Sequence, residues 1–275
     1  FQELLKKHPP QPPKVTIDPT KDIAILPYTG GTTGLPKAAV LTHFNMVALQ
    51  AQGQAFWPFF EEGNEIVMAF LPFFHIYGQV VVMFASVIRG FTMVLFTTPD
   101  IDDIISAMER YQVSAFNGVP TMFEYLKEYE KTDRVNWKRL KMIACGADTL
   151  HDSTIEAWER RTGSKILEGY GMTETTSLSH GSPRFRPKKG SFGIPIPSMK
   201  AAIINHEGLD YLPVGEVGEM ILSGPNIMQA YWKREEETRQ ALIDIDGEKW
   251  LRTGDLVSMD EEGYFHFFDR KRDLI

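Results

Sequence analysis

Between Asp22 and His180 the chain alternates short apolar or β-branched runs with stretches whose apolar residues recur at helical spacing. The runs Ile23–Leu26, Ile66–Phe70, Thr92–Phe96, Val113–Phe116, Met142–Cys145 and Ile166–Glu168 predict strands. The stretches Thr42–Phe56, Gln79–Arg89, Ile101–Tyr111, Thr121–Tyr129 and Asp152–Arg161 predict the helices between them. Thr42 and Asp152 are the expected N-caps, since a short side-chain oxygen can take up an orphan N–H of the first turn. Continuous apolar strands are what a parallel sheet covered on both faces demands. The fold class this predicts is α/β, a doubly wound, mostly parallel sheet flanked by helices. After about His180 the texture changes: Met199–Ile204, Glu219–Ser223, Leu256–Met259 and Tyr264–Asp269 read as strands parted by Gly, Pro and acidic turns, a β-rich subdomain.

The apolar stretch Ile76–Phe96 needs weighing as a membrane span. Arg89 would fall past its middle, at a cost of roughly 2.5–3.5 kcal/mol. Arg89-Gly90 instead reads as a helix end, with a buried strand after it. The opening Phe1–Lys7 has no apolar core or cleavage site, so no signal peptide is expected. Lys and Arg number 29 against 36 Asp and Glu, a net charge of −7, and no basic run is present. That balance disfavours nucleic acid as a partner. Cys145 is the only cysteine, which excludes a disulfide framework and fits a reducing, cytoplasmic setting. With no partner base placed beside it, Cys145 reads as a small buried hydrophobe.

Candidate chemistry begins at Tyr28-Thr29-Gly30-Gly31-Thr32-Thr33-Gly34-Leu35-Pro36-Lys37, which follows a predicted strand. Glycines let backbone N–H groups approach phosphate oxygens, threonines add donors and a lysine supplies compact charge. The loop is not a Walker A sequence, because Pro36 precedes Lys37 and Ala38 follows it. A P-loop NTPase or kinase is therefore disfavoured. His75, in Leu71-Pro72-Phe73-Phe74-His75-Ile76-Tyr77-Gly78, lies beyond a strand's carboxyl end, where open α/β sheets bind ligands. Glu168-Gly169-Tyr170-Gly171-Met172-Thr173-Glu174-Thr175 offers an aromatic face, a hydroxyl and a hard carboxylate in one short run.

The loop YTGGTTGLPK resembles the phosphate loop of the adenylate-forming superfamily, which includes acyl-CoA synthetases, peptide-synthetase adenylation domains and beetle luciferases. Its double-glycine form is most similar to medium- and long-chain fatty acyl-CoA synthetases, with Ala38 standing where glycine is more usual. The remaining motifs follow in the family's order. The resemblance implies an ATP/AMP site made by Thr29, Gly30, Gly31, Thr32, Thr33, Gly34, Lys37, Gly146, Ala147, Gly169, Tyr170, Gly171, Thr173, Asp255 and Arg270. Tyr170 would stack on adenine, Thr173 bond the α-phosphate, Glu174 hold Mg2+, and Asp255, in Trp250-Leu251-Arg252-Thr253-Gly254-Asp255, accept from the ribose hydroxyls. Lys37, Thr173, Glu174 and His75 would be catalytic. The acyl pocket would take His75, Ile76, Tyr77, Gly78, Val119, Gly171 and Met172.

The resemblance further implies ATP-dependent activation of a carboxylic acid to an acyl-adenylate and then an acyl-CoA, with Mg2+ as cofactor and ATP and CoA as co-substrates. A fatty acid is the expected acid; an aryl acid, or a nucleotide-binding module without chemistry, stays open. Along the chain, residues 1–21 read as a linker or remnant of a preceding subdomain, 22–180 as the nucleotide- and acyl-binding subdomain and 181–268 as the β-rich one. Residues 269–275 read as the hinge, pivoting on Arg272, to a C-terminal domain outside the chain, so this piece is expected to be inactive alone. Peripheral membrane contact and a homodimer are left open.

Overall fold

The computed structural model describes residues 2–8, 10–11, 13–29, 35–205 and 208–270. A six-residue helix, α1 (Gln2–Lys7), precedes two small antiparallel pairs. These are β1 (Ile23–Ile25) with β4 (Leu41–Thr42), and β2 (Tyr28–Thr29) with β3 (Lys37–Ala38). The expectation that Ile23–Leu26 opens the parallel layer is thereby corrected. Of its strand residues Ile23 is exposed and Ala24 and Ile25 are only partly buried, whereas a strand inside a parallel sheet needs apolar cover on both faces.

The main sheet has seven strands: β5 (Ile66–Ala69), β6 (Thr92–Leu95), β7 (Ala115–Gly118), β8 (Met142–Cys145), β9 (Leu167–Tyr170), β10 (His180–Gly181) and β11 (Ile194–Pro195). Their order is β11-β10-β9-β8-β7-β5-β6. Pairing is parallel from β6 through β9 and antiparallel at β10 and β11. Every residue of β7 is buried, including the polar Asn117, as its central place in a sheet covered on both faces requires.

Five helices flank this sheet: α2 (His43–Phe56), α3 (Ala85–Arg89), α4 (Ile101–Arg110), α5 (Pro120–Leu126) and α6 (Asp152–Thr162). Thr42 caps α2 as expected: its hydroxyl accepts from Asn45 N–H at 3.3 Å, and Asn45 Oδ1 accepts from Thr42 N–H at 2.9 Å. At α6 the expectation shifts by one residue. His151 occupies the cap without a side-chain bond and Asp152 is the first helical residue, where its charge still complements the helix dipole. The helix expected over Gln79–Arg89 is also modified. Tyr77–Phe84 winds as a π-helix that passes into α3, which ends at Gly90 with φ 66°. Ile76–Phe96 is thus helix plus strand, and no helix among the described residues is long and apolar enough to cross a membrane.

The core under the main sheet centres on Phe116, Phe123, Trp137 and Trp158. Phe116 meets Trp137, and Phe123 meets Trp158, edge to face at 5.3 Å between ring centroids. Each such pair adds about 0.5–1.5 kcal/mol beyond its buried area.

The second sheet is antiparallel: β12 (Lys200–Ile204), β13 (Gly218–Ser223), β15 (Glu248–Met259) and β14 (Leu242–Ile245) in that order, with β16 (Phe265–Arg270) on the other stretch of β15. Helix α7 (Glu235–Ala241) leads into β14. Met220, Leu222, Leu251, Val257 and Phe265 share a second core with Met46 and Leu49 of α2. Asn45 of α2 adds a polar tie, donating through Nδ2 to the carbonyls of Pro225 at 2.7 Å and Ile227 at 3.0 Å. The carboxyl ends of β7, β8 and β9 consequently open toward β15 and β16, and a cleft forms between the sheets.

Candidate functional site

The cleft has a volume of about 1230 Å³ and takes its floor from the ends of β8 and β9. At the end of β9 the backbone turns at Gly171. A Cβ there would fall 1.6 Å from the carbonyl oxygen of Ser177, so only glycine lets the loop 172–178 fold back this closely. Thr175 Oγ1 accepts from Met172 N–H at 3.0 Å, tightening the 3₁₀ turn Thr173–Thr175. Asn226 Nδ2 donates to the carbonyls of Thr175 and Leu178, both at 2.8 Å, and so fixes both sides of the loop.

This turn buries Glu174 in the cleft wall, 5% exposed. Its Oε1 accepts from Tyr231 O–H at 2.5 Å, and Met228 N–H donates to its carbonyl at 2.8 Å. Burial raises the carboxyl above its ordinary pKa, opposed by the Tyr231 hydrogen bond and the Lys37 charge. Lys37, on β3, holds its ammonium 4.3 Å from the centroid of the Tyr231 ring. Tyr170 donates to Asp255 Oδ2 at 2.5 Å, and its ring packs against Phe192 at 4.7 Å. Burial, then the Asp255 charge, pushes the Tyr170 phenol well up. Arg270 Nε lies 3.6 Å from Asp255 Oδ1.

On the facing wall His75 is exposed, its Nδ1 accepting from Tyr77 N–H at 3.2 Å. Ala147 follows the end of β8 with φ 76°, a left-handed conformation that costs an alanine about 1–2 kcal/mol. Cys145 is buried and its thiol is held up by burial first and the Glu168 and Asp148 charges after it, which keeps it an inert thiol.

The cleft thus gathers Thr29, Lys37, His75, Ile76, Tyr77, Gly146, Ala147, Gly169, Tyr170, Gly171, Met172, Thr173, Glu174, Asp255 and Arg270. Two residues expected in the acyl pocket are not on its wall. Gly78 sits where an added Cβ would be 2.5 Å from the Pro72 carbonyl, and Val119 is the N-cap of α5. Gly30, Gly31, Thr32, Thr33, Gly34 and Arg272 lie outside the described residues.

Among the lining residues that the sequence reading does not assign to the site are two that bear titratable groups beside the expected ones. Tyr231 is the hydroxyl partner of Glu174. Glu168 has its carboxyl raised to about 7 by burial and by the Asp152 charge. An apolar pocket also opens off the cleft. It shares Trp57, Val81, Asn117, Met142 and Leu178 with it and runs on past Ala85 to Phe60, Arg89 and Phe91. The π-helix supplies Val81 at that junction.

Residues 2–232 match the family model described as AMP-binding enzyme. The chain is 38% identical over 260 residues to a long-chain-fatty-acid–CoA ligase of Bacillus subtilis, covering 94% of this chain and 46% of that one. It therefore spans about half the length of the curated relatives it matches. Among solved structures, a long-chain-fatty-acid-CoA ligase from Archaeoglobus fulgidus superposes with a TM-score of 0.87 at 29% identity, over 98% of this chain and 55% of that one. O-succinylbenzoate coenzyme A synthetase of Bacillus subtilis, in complex with ATP and magnesium ion, gives a TM-score of 0.82 at 30% identity, over 93% and 52%. A lysine strand, an aromatic-hydroxyl-carboxylate loop and a carboxylate on the facing sheet, gathered around one cleft, thus sit in a chain that belongs to the AMP-binding enzyme family of adenylate-forming proteins.

Proposed function

We propose that the protein containing this chain activates a fatty acid with ATP, forming an acyl-adenylate and then an acyl-CoA. The observation that carries this reading is the apolar pocket leading off a cleft that already holds Lys37, Glu174 and Asp255. A carboxylate reacts poorly with a thiol because its charge is delocalised and oxide would have to leave. In the first step a carboxylate oxygen attacks the α-phosphorus of ATP and the bond to pyrophosphate breaks. In the second the CoA sulfur attacks the acyl carbon, the thiol proton is released and AMP leaves with the bonding electrons.

The first barrier is the approach of one anion to a polyanion. Lys37 lowers it as a compact positive charge on the cleft wall, and Thr173 adds a hydroxyl donor. Asp255 has the chemistry to accept from ribose hydroxyls, with Tyr170 and Arg270 fixing its two oxygens. The Tyr170 face suits a purine, and the Glu168 carboxyl beside it offers an acceptor to an exocyclic amine. His75, exposed on the cleft wall, is the residue we assign to the carboxylate of the acid.

The residues also fit Mg2+. Glu174 is a hard carboxylate whose burial disfavours its charged form, so a cation beside it would offset that cost. Among the described residues no group of three or more His, Cys, Asp or Glu side chains is placed to hold a metal ion by itself. Magnesium would thus rest on Glu174 and on substrate phosphates, as it does in many nucleotide sites. When bound it would neutralise phosphate charge as the oxygen attacks.

The test is a carboxylate screen on the full-length protein with ATP, magnesium and CoA, reading AMP release. AMP formed with octanoate to palmitate and not with benzoate is the expected result. AMP with aryl acids alone would keep the mechanism and move the substrate. No CoA-dependent AMP from any acid would sink the thioester step.

A further inference from the structure

Tyr231 stands between the two groups of opposite charge that the proposed reaction uses. Its side chain is buried, gives its hydroxyl to Glu174 Oε1 at 2.5 Å, and offers its ring face to the Lys37 ammonium at 4.3 Å. The backbone fixes this placement from both directions. Ala39 bridges to Tyr231, Val40 N–H donates to the Ala230 carbonyl and Trp232 N–H to the Ala38 carbonyl, both at 2.8 Å. The strand that carries Lys37 is therefore zipped to the segment that carries the tyrosine. The same segment reaches Glu174 through Met228 N–H. On its other side Tyr231 N–H donates to Thr238 Oγ1 of α7 at 2.9 Å.

Among the described residues no ion pair joins Lys37 to Glu174. In a half-closed cleft an ammonium and a carboxylate on either side of one ring would gain by pairing directly, because low local dielectric strengthens their attraction. That pairing would neutralise both: the lysine would be withdrawn from phosphate and the carboxylate from magnesium. We infer that Tyr231 is a spacer, a positioning residue that keeps Lys37 and Glu174 apart and each available for its own ligand. The inference rests on the acyl-activation reading above. A ring face attracts an ammonium without cancelling its charge, and a neutral phenol donates to a carboxylate without cancelling that one. The ring contact is weak enough to yield when a phosphate oxygen arrives, and the phenol engages only Oε1 of Glu174, which leaves the second oxygen for a cation. No other residue type carries a face and a hydroxyl edge on one rigid ring.

The test is a double-mutant cycle read by binding of a fluorescent ATP analogue, mant-ATP, in EDTA. The four proteins are wild type, Tyr231→Leu, Glu174→Gln and the double variant. Loss of the spacer lets Lys37 collapse onto Glu174, so Tyr231→Leu is expected to weaken binding about tenfold. Glu174→Gln removes a charge that repels phosphate in either background, but releases a trapped lysine only where the spacer is gone. Its gain in affinity is therefore expected to be at least about fivefold larger beside Tyr231→Leu than alone. Equal gains in the two backgrounds would overturn the spacer role.

Tyr231→Phe keeps the ring and the packing and covers the case in which the leucine variant does not fold. It should raise several-fold the Mn2+ concentration that half-saturates the nucleotide complex, read by electron paramagnetic resonance. A titration identical to wild type would also overturn the proposal. Wild-type protein that binds no mant-ATP would sink the acyl-activation reading and the spacer with it, whereas binding without coupling sinks the spacer alone.

Discussion

The phenol of Tyr170 and the carboxylate of Asp255, 85 positions apart in the chain, share one hydrogen bond of 2.5 Å across the cleft. It ties the end of the parallel sheet to the long strand of the antiparallel one, so that, on the proposed reading, the surface for a base and the acceptor for a sugar are set as one unit. Removing the hydroxyl alone, Tyr170→Phe, keeps the ring and leaves Asp255 buried with one donor fewer. A lost partner to a buried charged group costs about 1–3 kcal/mol. AMP affinity, measured by titration calorimetry, should therefore fall about tenfold, and Asp255→Asn should lower it further, about a hundredfold. Wild-type affinity in Asp255→Asn would remove the ribose role.

Glu168 makes a prediction about pH. Its carboxyl titrates at about 7 in the folded protein against an ordinary 4.5, raised by burial and by Asp152. The folded state therefore binds more protons than the unfolded one across that window, and the stability this group contributes is lost as pH rises from 4.5 through about 7. Glu168→Gln, which cannot ionise, should be progressively more stable than wild type from pH 5 to pH 8, by up to on the order of 3 kcal/mol. The difference between the two proteins is the quantity to follow in urea. His180, buried against Tyr170, Phe192 and Phe265 and lowered to about 3, moves each whole curve the other way below 6.5. A pH-independent difference would mean that Glu168 is solvated.

Much of this site was readable in the chain because its parts are short runs at the ends of strands. Met142–Cys145 is both an apolar run and strand β8, and Thr42 caps α2 where a threonine before a helical pattern predicts it. What stayed hidden depends on contacts distant in sequence. Tyr231 carries no local signal of its role, since its partner Glu174 is 57 positions away. The π-helix over Tyr77–Phe84 has the same apolar texture as an α-helix. Trp250–Asp255 reads as an isolated segment, yet it lies inside the twelve-residue strand β15, whose alternation is interrupted where Gly254 takes φ 73°. The hairpin of β14 and β15 turns on Asp246-Gly247, both at positive φ, a local signal that the strand expectation over 256–259 does not use.

Ala147 makes a stability prediction. At φ 76° on the cleft wall it holds a conformation that glycine adopts without penalty. Ala147→Gly should stabilise the protein by about 1 kcal/mol in chemical denaturation, the relieved strain less the added chain entropy. Ala147→Val, β-branched at the same φ, should destabilise it by at least about as much, and its extra methyl groups should weaken nucleotide binding at the same wall. A glycine variant less stable than wild type would show that the left-handed turn is not the native one.

The length of the acyl group, on the proposed reading, is set where α3 meets the far end of the apolar pocket. Ala85 and Arg89 are one helical turn apart and both line it. Arg89 closes the end firmly: its guanidinium donates to the Phe60 carbonyl at 2.8 Å and lies 4.9 Å from the centroid of Phe91, and burial holds its pKa below the ordinary value. Ala85 is the small residue on the way there, so Ala85→Phe should fill the pocket short of Arg89. Each methylene then denied burial forfeits about 0.8 kcal/mol, roughly fourfold in kcat/KM. The variant should turn over hexanoate as a good substrate and lose activity stepwise from decanoate to octadecanoate, read as AMP release along the series. A chain-length profile that keeps its wild-type shape, with all acids slowed alike, would mean that the acyl chain lies elsewhere.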